Sequence, residues 1–427
     1  YNMPGIFHLK GTLDKTKLIA AFNQLVERHS VLRSNFIIKD DESIQFVKDK
    51  LELKLQEFKA DATSILEVCN EFIKPFDLSN DALIRVGCIA IEEDHNVLIY
   101  DMHHIISDGV SMDILVQEFI QLYNEKQLSN LEFEYVDYVV WQNETSKRSL
   151  WNRQEVFWKE QFKGDIPILD LPTDYIRPRI QKFEGASIEF NLKPIIEERL
   201  RKLSKESNST IFTILLAVYN VFLNKVTKQN DIIVGIPVSG RSLADLEGMI
   251  GMFVNTLALR NYPTPDASFL SFLEDVKERS LDAFENQNYP FEELIEKLNL
   301  NRDMSRNPLF DTMLSYQKKD LKVDFIGELE ITPFERERVV SKFDLSLDVI
   351  ETNNELSFMF EYNTNLFSQS KVEKFVIGFQ KVIEEIVEKV DRKIGDIIII
   401  SDSDKESILT NAYSNIVKRD SKTFGDI

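Results

Sequence analysis

Two adjacent histidines are the residues of this chain best suited to chemistry. His103 and His104 stand together, and Asp108 and Gly109 follow shortly after them. A histidine can accept a proton near neutral pH, which suits it to general acid–base catalysis. A single histidine is more often an ordinary polar residue of a buried loop, but the pair followed by an aspartate and a glycine favours a site. Gly109 allows close approach to the backbone, which a ligand needs and a simple turn needs equally.

The sequence offers no competing nucleophile or cofactor motif. It has no Gly-x-Ser-x-Gly elbow, no P-loop lysine motif and no dinucleotide glycine fingerprint. Cys69 lies in a helical apolar pattern and Cys88 in a strand-like one, so we assign both to the core. Two cysteines are also too few for a disulfide framework or a zinc site of the usual ligand count. What remains is a lone histidine that promotes the attack of one bound substrate on another.

A strand and a helix must position these histidines. The apolar run at residues 97–100 has the length of a strand and leads directly into the pair. Because successive side chains of a strand point to opposite faces, only one histidine faces a given cleft and the other is structural. A helix with Ser111 as its expected N-cap comes next. Its apolar stripe is Met112, Leu115, Val116, Phe119, Leu122 and Tyr123.

The remaining pattern predicts a second lobe. The chain has 427 residues, and a single hydrophobic core rarely supports a chain of this length. Residues 171–179 hold two prolines between patterned stretches, and we interpret them as the crossing between lobes. A helix at 210–223, a strand at 231–238 and a loop at 239–242 then repeat the order of helix, strand and loop in the first lobe, where a helix is expected at residues 14–26.

We therefore expect a mixed α/β protein whose first lobe is 1–170 and whose second is 171–400. The second lobe has no histidine, so a single site in the cleft is implied. After residue 400 the apolar pattern fades, and we interpret 401–427 as a linker into a further domain.

Composition argues against several partners. Fifty-one basic and 71 acidic residues give a net charge of −20, the reverse of what nucleic acid requires. Apolar runs such as 211–218 are far shorter than the ~20 residues that span a bilayer, so we expect no membrane insertion. The start is no signal peptide. We expect a cytoplasmic protein without a metal.

Six segments, in order along the chain, resemble core motifs of the condensation domains of nonribosomal peptide synthetases. The second of them carries the family's HHxxxDG signature at His103 to Gly109. The family's first motif is missing, so we expect a segment to precede the chain. The six segments are residues 28–36, 102–111, 135–141, 250–260, 286–292 and 302–310.

The resemblance implies a fold and a reaction. The fold is two chloramphenicol-acetyltransferase-like lobes in a V-shaped pseudodimer, with an active-site tunnel between them. Donor and acceptor peptidyl carrier proteins dock at its opposite mouths, and an adenylation domain is adjacent. The domain binds no cofactor itself, since its substrates arrive on 4'-phosphopantetheine arms. The amine of one carrier-bound aminoacyl group attacks the thioester on the other arm and forms an amide.

The resemblance also assigns roles within the signature. His104 is the active-site histidine, either as a base or as a group that positions the amine. His103 serves the loop architecture, and Ser111 belongs to the supporting motif. Gly109 lets the pantetheine arm pass close to the backbone, and its amide could donate to the thioester oxygen.

The aspartate of the signature and three residues outside it take further roles. Asp108 could be a second base, but the resemblance makes it structural, paired with an arginine and fixing the loop. Arg33 is the first candidate partner and Arg28 the second, because both lie in a motif that the family keeps. A solvated charge at a helix end is the alternative for each. Asn255 is expected to line the tunnel from the second lobe.

Other functions remain open. Epimerisation domains share the signature but carry a second, histidine-containing motif that the second lobe lacks. Non-catalytic recruitment modules usually have a damaged signature, and heterocyclising relatives replace the histidines with aspartates. A free-standing coenzyme-A-dependent acyltransferase has the same fold.

The Ser-Asp-Gly-Val-Ser form at residues 107–111 favours an L-configured donor. Carrier proteins are usually acidic, so docking on this acidic chain is expected to depend on local apolar or basic patches and on tethering in one polypeptide, and not on long-range attraction.

Overall fold

The computed structural model describes residues 1–399 except for 147–148, 301–302, 320–323, 327–328 and 335–338. The predicted linker at 401–427 lies outside the described residues, as does the first residue of the motif at 302–310.

The described residues form ten α-helices and fourteen strands. The helices are α1 Lys15–Arg28, α2 Ile65–Phe72, α3 Gly109–Tyr123, α4 Tyr135–Ser146, α5 Ser149–Gln161, α6 Pro194–Glu206, α7 Ile211–Thr227, α8 Phe269–Glu285, α9 Phe291–Leu298 and α10 Gln369–Glu388. The strands are β1 Asn2–Lys10, β2 Ser34–Lys39, β3 Glu42–Val47, β4 Leu55–Lys59, β5 Ile84–Glu92, β6 His95–His103, β7 Gly185–Asn191, β8 Ile232–Val238, β9 Asn255–Asn261, β10 Thr312–Lys318, β11 Asp324–Ile326, β12 Leu329–Pro333, β13 Leu345–Thr352 and β14 Glu355–Asn363.

The chain divides into two compact units, and each unit is assembled from three segments of sequence. Unit 1 consists of Tyr1–Arg153, Val238–Asn255 and Leu321–Arg336. Unit 2 consists of Gln154–Pro237, Thr256–Asp320 and Glu337–Ile427.

These units are not the two continuous lobes expected from the sequence. Residues 154–170 belong to unit 2, where the indole N–H of Trp158 donates to the carbonyl of Asn286 over 2.9 Å. The proline-containing segment 171–179 also lies inside unit 2 and is irregular. Residues 238–255, expected in the second lobe, belong to unit 1. A local pattern marks where elements end, but it does not show which core an apolar side chain joins.

Unit 1 is built on a six-stranded sheet in the order β11-β12-β1-β6-β5-β4, with β2 and β3 as a separate hairpin. Side chains of β6 alternate between two cores, which makes the strand apolar on both faces. Leu98 and Tyr100 pack in the core that includes residues of α1 and α3. Val97 and Ile99 pack on the opposite face, with Cys69 of α2. The end of β6 is therefore held from both sides.

Unit 2 has its own six-stranded sheet, in the order β7-β14-β13-β10-β8-β9. Helix α7 is buried along most of its length, and Tyr219 and Phe222 are fully enclosed. The Tyr219 hydroxyl lies 2.6 Å from Oγ1 of Thr312, so the one polar atom of this ring is paired. The mixed α/β class predicted from the sequence is confirmed in both units.

Several predicted elements are confirmed, and the structure shows what caps them. Asp14 caps α1 by accepting from the backbone amides of Thr16 and Lys17. Thr210 caps α7 in the same way through Thr213. Both cysteines are buried, Cys69 in α2 and Cys88 in β5.

No single helix among the described residues is long and apolar enough to cross a membrane. Helices α6 and α7 meet the length and composition criteria only as a pair bent by 111°.

Candidate active site

The histidine pair lies where β6 ends. His103 is the last residue of the strand, and His104 opens a short 3₁₀ turn that runs to Ile106. Helix α3 begins directly afterwards at Gly109. Its N-cap is Asp108 and not Ser111, because the Asp108 carboxylate accepts the amide N–H of Ser111 over 2.7 Å. The predicted order of strand, histidines and helix is confirmed, and the predicted cap was wrong.

His103 acts as the cap of the turn that carries His104. Its Nδ1 accepts the backbone N–H of Ile105 over 3.1 Å. This bond requires an unprotonated Nδ1, so His103 carries its proton on Nε2 when neutral. Burial lowers the pKa of His103, which favours the neutral ring that the bond needs. His103 thus makes a hydrogen bond within the loop, and the structural role that the resemblance implies for it stays a prediction.

His104 is half-buried and has one ring nitrogen committed. Its Nδ1 lies 2.9 Å from the carbonyl oxygen of Ser107. A carbonyl oxygen only accepts, so Nδ1 carries the proton and donates it to this bond. The neutral ring is thereby held in the tautomer whose Nε2 has a free electron pair. His104 is thus arranged to accept a proton at Nε2.

Asp108 is a buried carboxylate saturated with hydrogen bonds. Only 2% of it is exposed. Its Oδ1 accepts from the amide and hydroxyl of Ser111, each over 2.7 Å, and from Nη2 of Arg241 over 3.1 Å. Its Oδ2 accepts the amide N–H of Phe253 over 3.1 Å. A carboxylate held this way fixes the loop and is a poor choice for a second base.

The partner of Asp108 is Arg241, so the two arginines predicted for this role were wrong. Arg33 instead donates to the carbonyls of Val26, Glu27 and Lys48 over 2.8 to 3.0 Å, which closes the C-terminal end of α1. Arg28 pairs with Glu118 over 3.1 Å. Both predicted arginines therefore bind other partners in unit 1. Membership of a shared motif does not show which side chains meet, because the three-dimensional packing decides that.

Arg241 ties the 238–255 segment to the start of α3. Its guanidinium lies 4.1 Å from the ring centre of Phe253 and is almost fully buried. Its Nη1 donates to the carbonyls of Leu246 and Met249, while Nη2 faces Asp108. The fork geometry of arginine lets one side chain fix the segment and neutralise the carboxylate together.

The sequence holds a signal that could have pointed to Arg241. It follows Gly240 in a loop after β8, and that glycine has a φ of +66°. A Cβ on Gly240 would lie 1.9 Å from the carbonyl oxygen of Phe253. In the sequence this signal is weak, because Gly240 in the polar loop at residues 239–242 indicates a tight turn while nothing in the local pattern marks Arg241 as a buried charge.

Ser111 completes the link between α3 and the 238–255 segment. Its Oγ lies 2.8 Å from the carbonyl oxygen of Gly251 and accepts the amide N–H of the same residue over 3.0 Å. Tyr135 of α4 packs against Gly251 so closely that a Cβ there would lie 2.1 Å from its ring. Burial raises the pKa of Tyr135, and its hydroxyl donates to the carbonyl of Met252 over 2.9 Å. The supporting role expected for Ser111 therefore has a definite geometry.

Two remaining predicted residues have simpler surroundings. Gly109 is exposed, and a Cβ there would meet nothing within 4 Å. Space is therefore open beside its backbone among the described residues, and the role expected for Gly109 beside a substrate arm stays a prediction. Asn255 is half-buried and begins β9, and its tunnel-lining role stays a prediction.

Within the part of the chain that the structure describes, no group of three or more histidine, cysteine, aspartate or glutamate side chains is placed to hold a metal ion.

Comparison with known families gives one extended match. The family model described as "Condensation domain" matches residues 1–409.

Curated relatives agree with that match. Gramicidin S synthase 2 of Aneurinibacillus migulanus is 42% identical over 410 residues, which cover 96% of this chain and 9% of the relative. Surfactin synthase subunit 1 of Bacillus subtilis (strain 168) is 41% identical over 409 residues, 96% of this chain and 11% of the relative. Tyrocidine synthase 3 of Brevibacillus parabrevis is 41% identical over 423 residues, 99% of this chain and 6% of the relative. The chain thus spans about a tenth or less of the length of these relatives.

Solved structures share the fold. A four-domain nonribosomal peptide synthetase bound to AMP and glycine superposes with a TM-score of 0.86 at 25% identity, over 95% of this chain and 32% of that one. The X-domain from teicoplanin biosynthesis gives a TM-score of 0.87 at 23% identity, over 93% of each chain. The first condensation domain of the calcium-dependent antibiotic synthetase gives 0.74 at 16% identity, over 94% of each. The last two likenesses concern the fold alone.

Proposed function

Because this chain belongs to the condensation-domain family of nonribosomal peptide synthetases, we propose that it joins two carrier-bound substrates through an amide bond. The amine nitrogen of the acceptor aminoacyl group attacks the carbonyl carbon of the donor thioester. A C–N bond forms, the C–S bond breaks, and the donor pantetheine leaves as a thiol. The proton lost by the amine balances the thiolate.

The observation that carries this proposal is the state of His104. Its Nδ1–H is committed to the carbonyl of Ser107 over 2.9 Å, which directs the free electron pair to Nε2. The turn that presents this ring is fixed on one side by the His103 cap and followed by the Asp108–Arg241 pair. An intact, buried support of this kind is what a positioned proton acceptor requires.

The residues divide the chemistry between them. A free α-amine has a pKa of about 7.7–8.0, so part of it is already neutral at physiological pH. Nε2 of His104 holds that amine in line and accepts its proton as the C–N bond forms. As positive charge develops on the ring, the bond from Nδ1–H to the Ser107 carbonyl becomes charge-assisted and stabilises it. Asp108 takes no proton in this scheme and keeps the loop fixed.

The substrates and partners follow from the same proposal. The 4'-phosphopantetheine arms of an upstream donor carrier and a downstream acceptor carrier bring the substrates, and an adenylation domain is adjacent in the same polypeptide. The arms enter as parts of the substrates, not as a bound cofactor. We propose an L-configured donor and a cytoplasmic location. The histidine-free stretch after residue 104 supports condensation over epimerisation, whose second motif contains a histidine.

The test uses donor and acceptor carriers loaded with defined aminoacyl groups and mixed with the chain in buffered D₂O. Mass spectrometry follows both the peptidyl product and deuterium incorporation at the donor α-carbon. We expect an amide product, faster with an L-donor than with its D-isomer, and no deuterium. Carriers without the chain are the blank.

Each contrary result points to a different function. Deuterium incorporation without an amide would identify an epimerase. Neither product nor exchange, with any of several loaded pairs, would leave a recruitment module as the function. An amide formed equally well from L- and D-donors would contradict only the stereochemical part of the proposal.

A further inference from the structure

Asp101 is a buried carboxylate that the reaction scheme does not use. It lies on β6 two residues before His103 and is fully buried. Its Oδ2 accepts from Nδ2 of Asn2 over 2.7 Å and from Nε of Arg85 over 3.2 Å. Its Oδ1 is buried without a hydrogen-bond partner among the described residues. Burial raises the pKa of Asp101, although Asn2 and Arg85 oppose this shift.

An ion pair with an unsatisfied buried oxygen contributes little to stability. Desolvation of the two charges offsets much of their attraction, and the orphan oxygen adds a further cost. An apolar side chain would serve the core of this sheet at least as well. We therefore look for the role of Asp101 in how it positions its neighbours and not in stability.

That geometry is set through Arg85, which Asp101 holds in place. The guanidinium of Arg85 lies 3.8 Å from the ring centre of Phe76. Nη2 of Arg85 donates to the carbonyl of Lys74, and Nδ2 of Asn2 donates to the same carbonyl over 2.7 Å. The segment around Phe76 is thereby fastened to the ends of β1, β5 and β6 at one point.

Phe76 passes this constraint to His103. The two rings meet edge to face, with centres 6.1 Å apart and planes at 86°. The ring centre of Tyr1 also lies 6.2 Å from the ring centre of His103. The orientation of His103 in turn sets the bond from the Ile105 amide to its Nδ1, over 3.1 Å, which caps the His104 turn.

We propose that Asp101 is a positioning residue for this site: through Arg85, Phe76 and His103 it fixes the turn that presents His104. The expected effect on kcat rests on the proposed function. The expected effect on the ring orientation of His103 does not depend on it. Asp101 itself touches neither reactant.

The kinetic test compares Asp101→Asn with Asp344→Asn. The control is closely matched, because Asp344 is 1% exposed and pairs with Arg177, while Asp101 is 0% exposed and pairs with Arg85, and both arginines are 17% exposed. Asp344 lies in unit 2. We expect both variants to lower Tm, and only Asp101→Asn to lower kcat, by about tenfold, with KM for both loaded carriers unchanged. A kcat for Asp101→Asn within twofold of the wild type, or an equal loss in Asp344→Asn, would overturn the proposal.

A second readout needs no turnover. Long-range ¹H–¹⁵N spectra of the histidine side chains report which ring nitrogen carries the proton. We expect the wild type to show an unprotonated Nδ1 on His103 and a protonated Nδ1 on His104, and Asp101→Asn to mix the tautomers of His103. Unchanged His103 signals would refute the positioning role. Because this result does not depend on amide formation, failure of the proposed function is distinguishable from failure of this inference.

A double-mutant cycle tests the route. If Asp101 acts through Phe76, Phe76→Leu should lower kcat by a similar factor, and the double variant should be no slower than either single variant. Strictly multiplicative losses would show that the two residues act independently, contrary to the proposal.

Discussion

At the scale of single residues, the state of His104 depends on which atoms its neighbours can offer. The Ser107 carbonyl selects the tautomer of His104, and the Ile105 amide selects the opposite tautomer of His103. Two adjacent, chemically identical side chains thus receive different roles from the backbone of one short turn. Nδ1 of His104 is used in the bond to the Ser107 carbonyl, which leaves Nε2 for the proposed reaction, while Nδ1 of His103 caps the turn.

Ser111 provides a prediction about stability. Its hydroxyl accepts from Nη2 of Arg241 and from the amide of Gly251, each over 3.0 Å, in a fully buried position. Ser111→Ala leaves those donors with one acceptor fewer, so we expect a loss of about 1–3 kcal/mol in the free energy of unfolding. Urea denaturation followed by circular dichroism measures it.

Ser271→Ala is the matched control. Ser271 occupies the same third helical position in α8, and its amide is likewise capped by the preceding Ser268, but its side chain is exposed. We expect a change within about 0.5 kcal/mol there. Equal effects of the two substitutions would contradict the importance of the buried serine.

Asp311 provides a prediction about pH. Burial, followed by the nearby Asp344, raises the pKa of Asp311 to about 6, although Arg306 opposes the shift. Between about pH 4 and pH 6 the folded state therefore binds more protons at this carboxyl than the unfolded state does. Stability must fall as pH rises through that window, by up to about 1.4 kcal/mol per pH unit for one proton. Asp311→Asn, which cannot titrate, should lack this slope in urea denaturation between pH 4 and pH 7.

Asp174→Asn is the control for this measurement. Hydrogen bonds from Ser368 lower the pKa of Asp174, so above about pH 5 its carboxyl is ionised in both the folded and the unfolded state. The control is therefore compared between about pH 5 and pH 7. That variant should keep the wild-type slope. Parallel stability curves for Asp311→Asn and the wild type would show that Asp311 titrates normally.

Single residues also show where sequence reasoning ends. The histidine pair, Asp108, Gly109 and Ser111 lie within one short stretch, so their proximity was predictable. Arg241 stands 133 residues after Asp108, and only the fold brings the two together. Arg33 and Arg28 were wrong because each finds nearer partners, carbonyls at the end of α1 and Glu118.

At the scale of elements, the turn at Gly240 decides whether Arg241 reaches Asp108. Its φ of +66° and the Phe253 carbonyl beside it exclude a side chain. We expect Gly240→Ala to cost about 3 kcal/mol or more and to lower the yield of folded protein, measured by urea denaturation.

Substitutions at two other glycines separate the cost of the positive φ from the cost of the clash with the Phe253 carbonyl. Gly164 has a φ of +82° with nothing near its Cβ position, so alanine there should cost only about 1 kcal/mol from backbone strain. Gly248 lies in the same 238–255 segment with open space and no positive φ, and Gly248→Ala should be nearly neutral. If Gly240→Ala behaved like Gly248→Ala, the turn would not be what places Arg241.

Elements with a strong local pattern were predictable. The helix expected at 14–26 is α1 with Asp14 as its cap, and the run at 97–100 lies within β6. The start of α3 was missed by three residues, because an aspartate and a serine both suit an N-cap and only their three-dimensional contacts distinguish them. The local pattern also could not predict which unit each element joins. The chain leaves unit 2 at the end of β8, and the next residues, 238–255, belong to unit 1.

At the scale of the whole molecule, the net charge provides a test of the proposed docking of carrier proteins. A charge of −20 repels an acidic carrier protein at long range. Raising the salt concentration from about 10 to about 100 mM shortens the screening length from about 30 to about 10 Å. We expect kcat/KM for separately added carriers to rise several-fold, measured by single-turnover product formation.

A carrier fused to the chain is the control for this effect. Tethering supplies a high effective concentration, so the fused reaction should change little with salt. A fall in kcat/KM with added salt for free carriers would show that a local basic patch, rather than overall repulsion, dominates docking.

The measurement that bears most directly on the role of His104 is the single-turnover rate of amide formation by wild type, His104→Ala and His95→Ala, with both substrates carrier-bound. His95 is the first residue of β6, the strand that directly precedes His104, so His95→Ala controls for loss of an imidazole elsewhere in unit 1. If Nε2 of His104 accepts the proton in the chemical step, His104→Ala should be slower by a factor of about 10² to 10⁴, and His95→Ala should match the wild type. A His104→Ala rate within tenfold of the wild type, with the fold intact, would contradict that role.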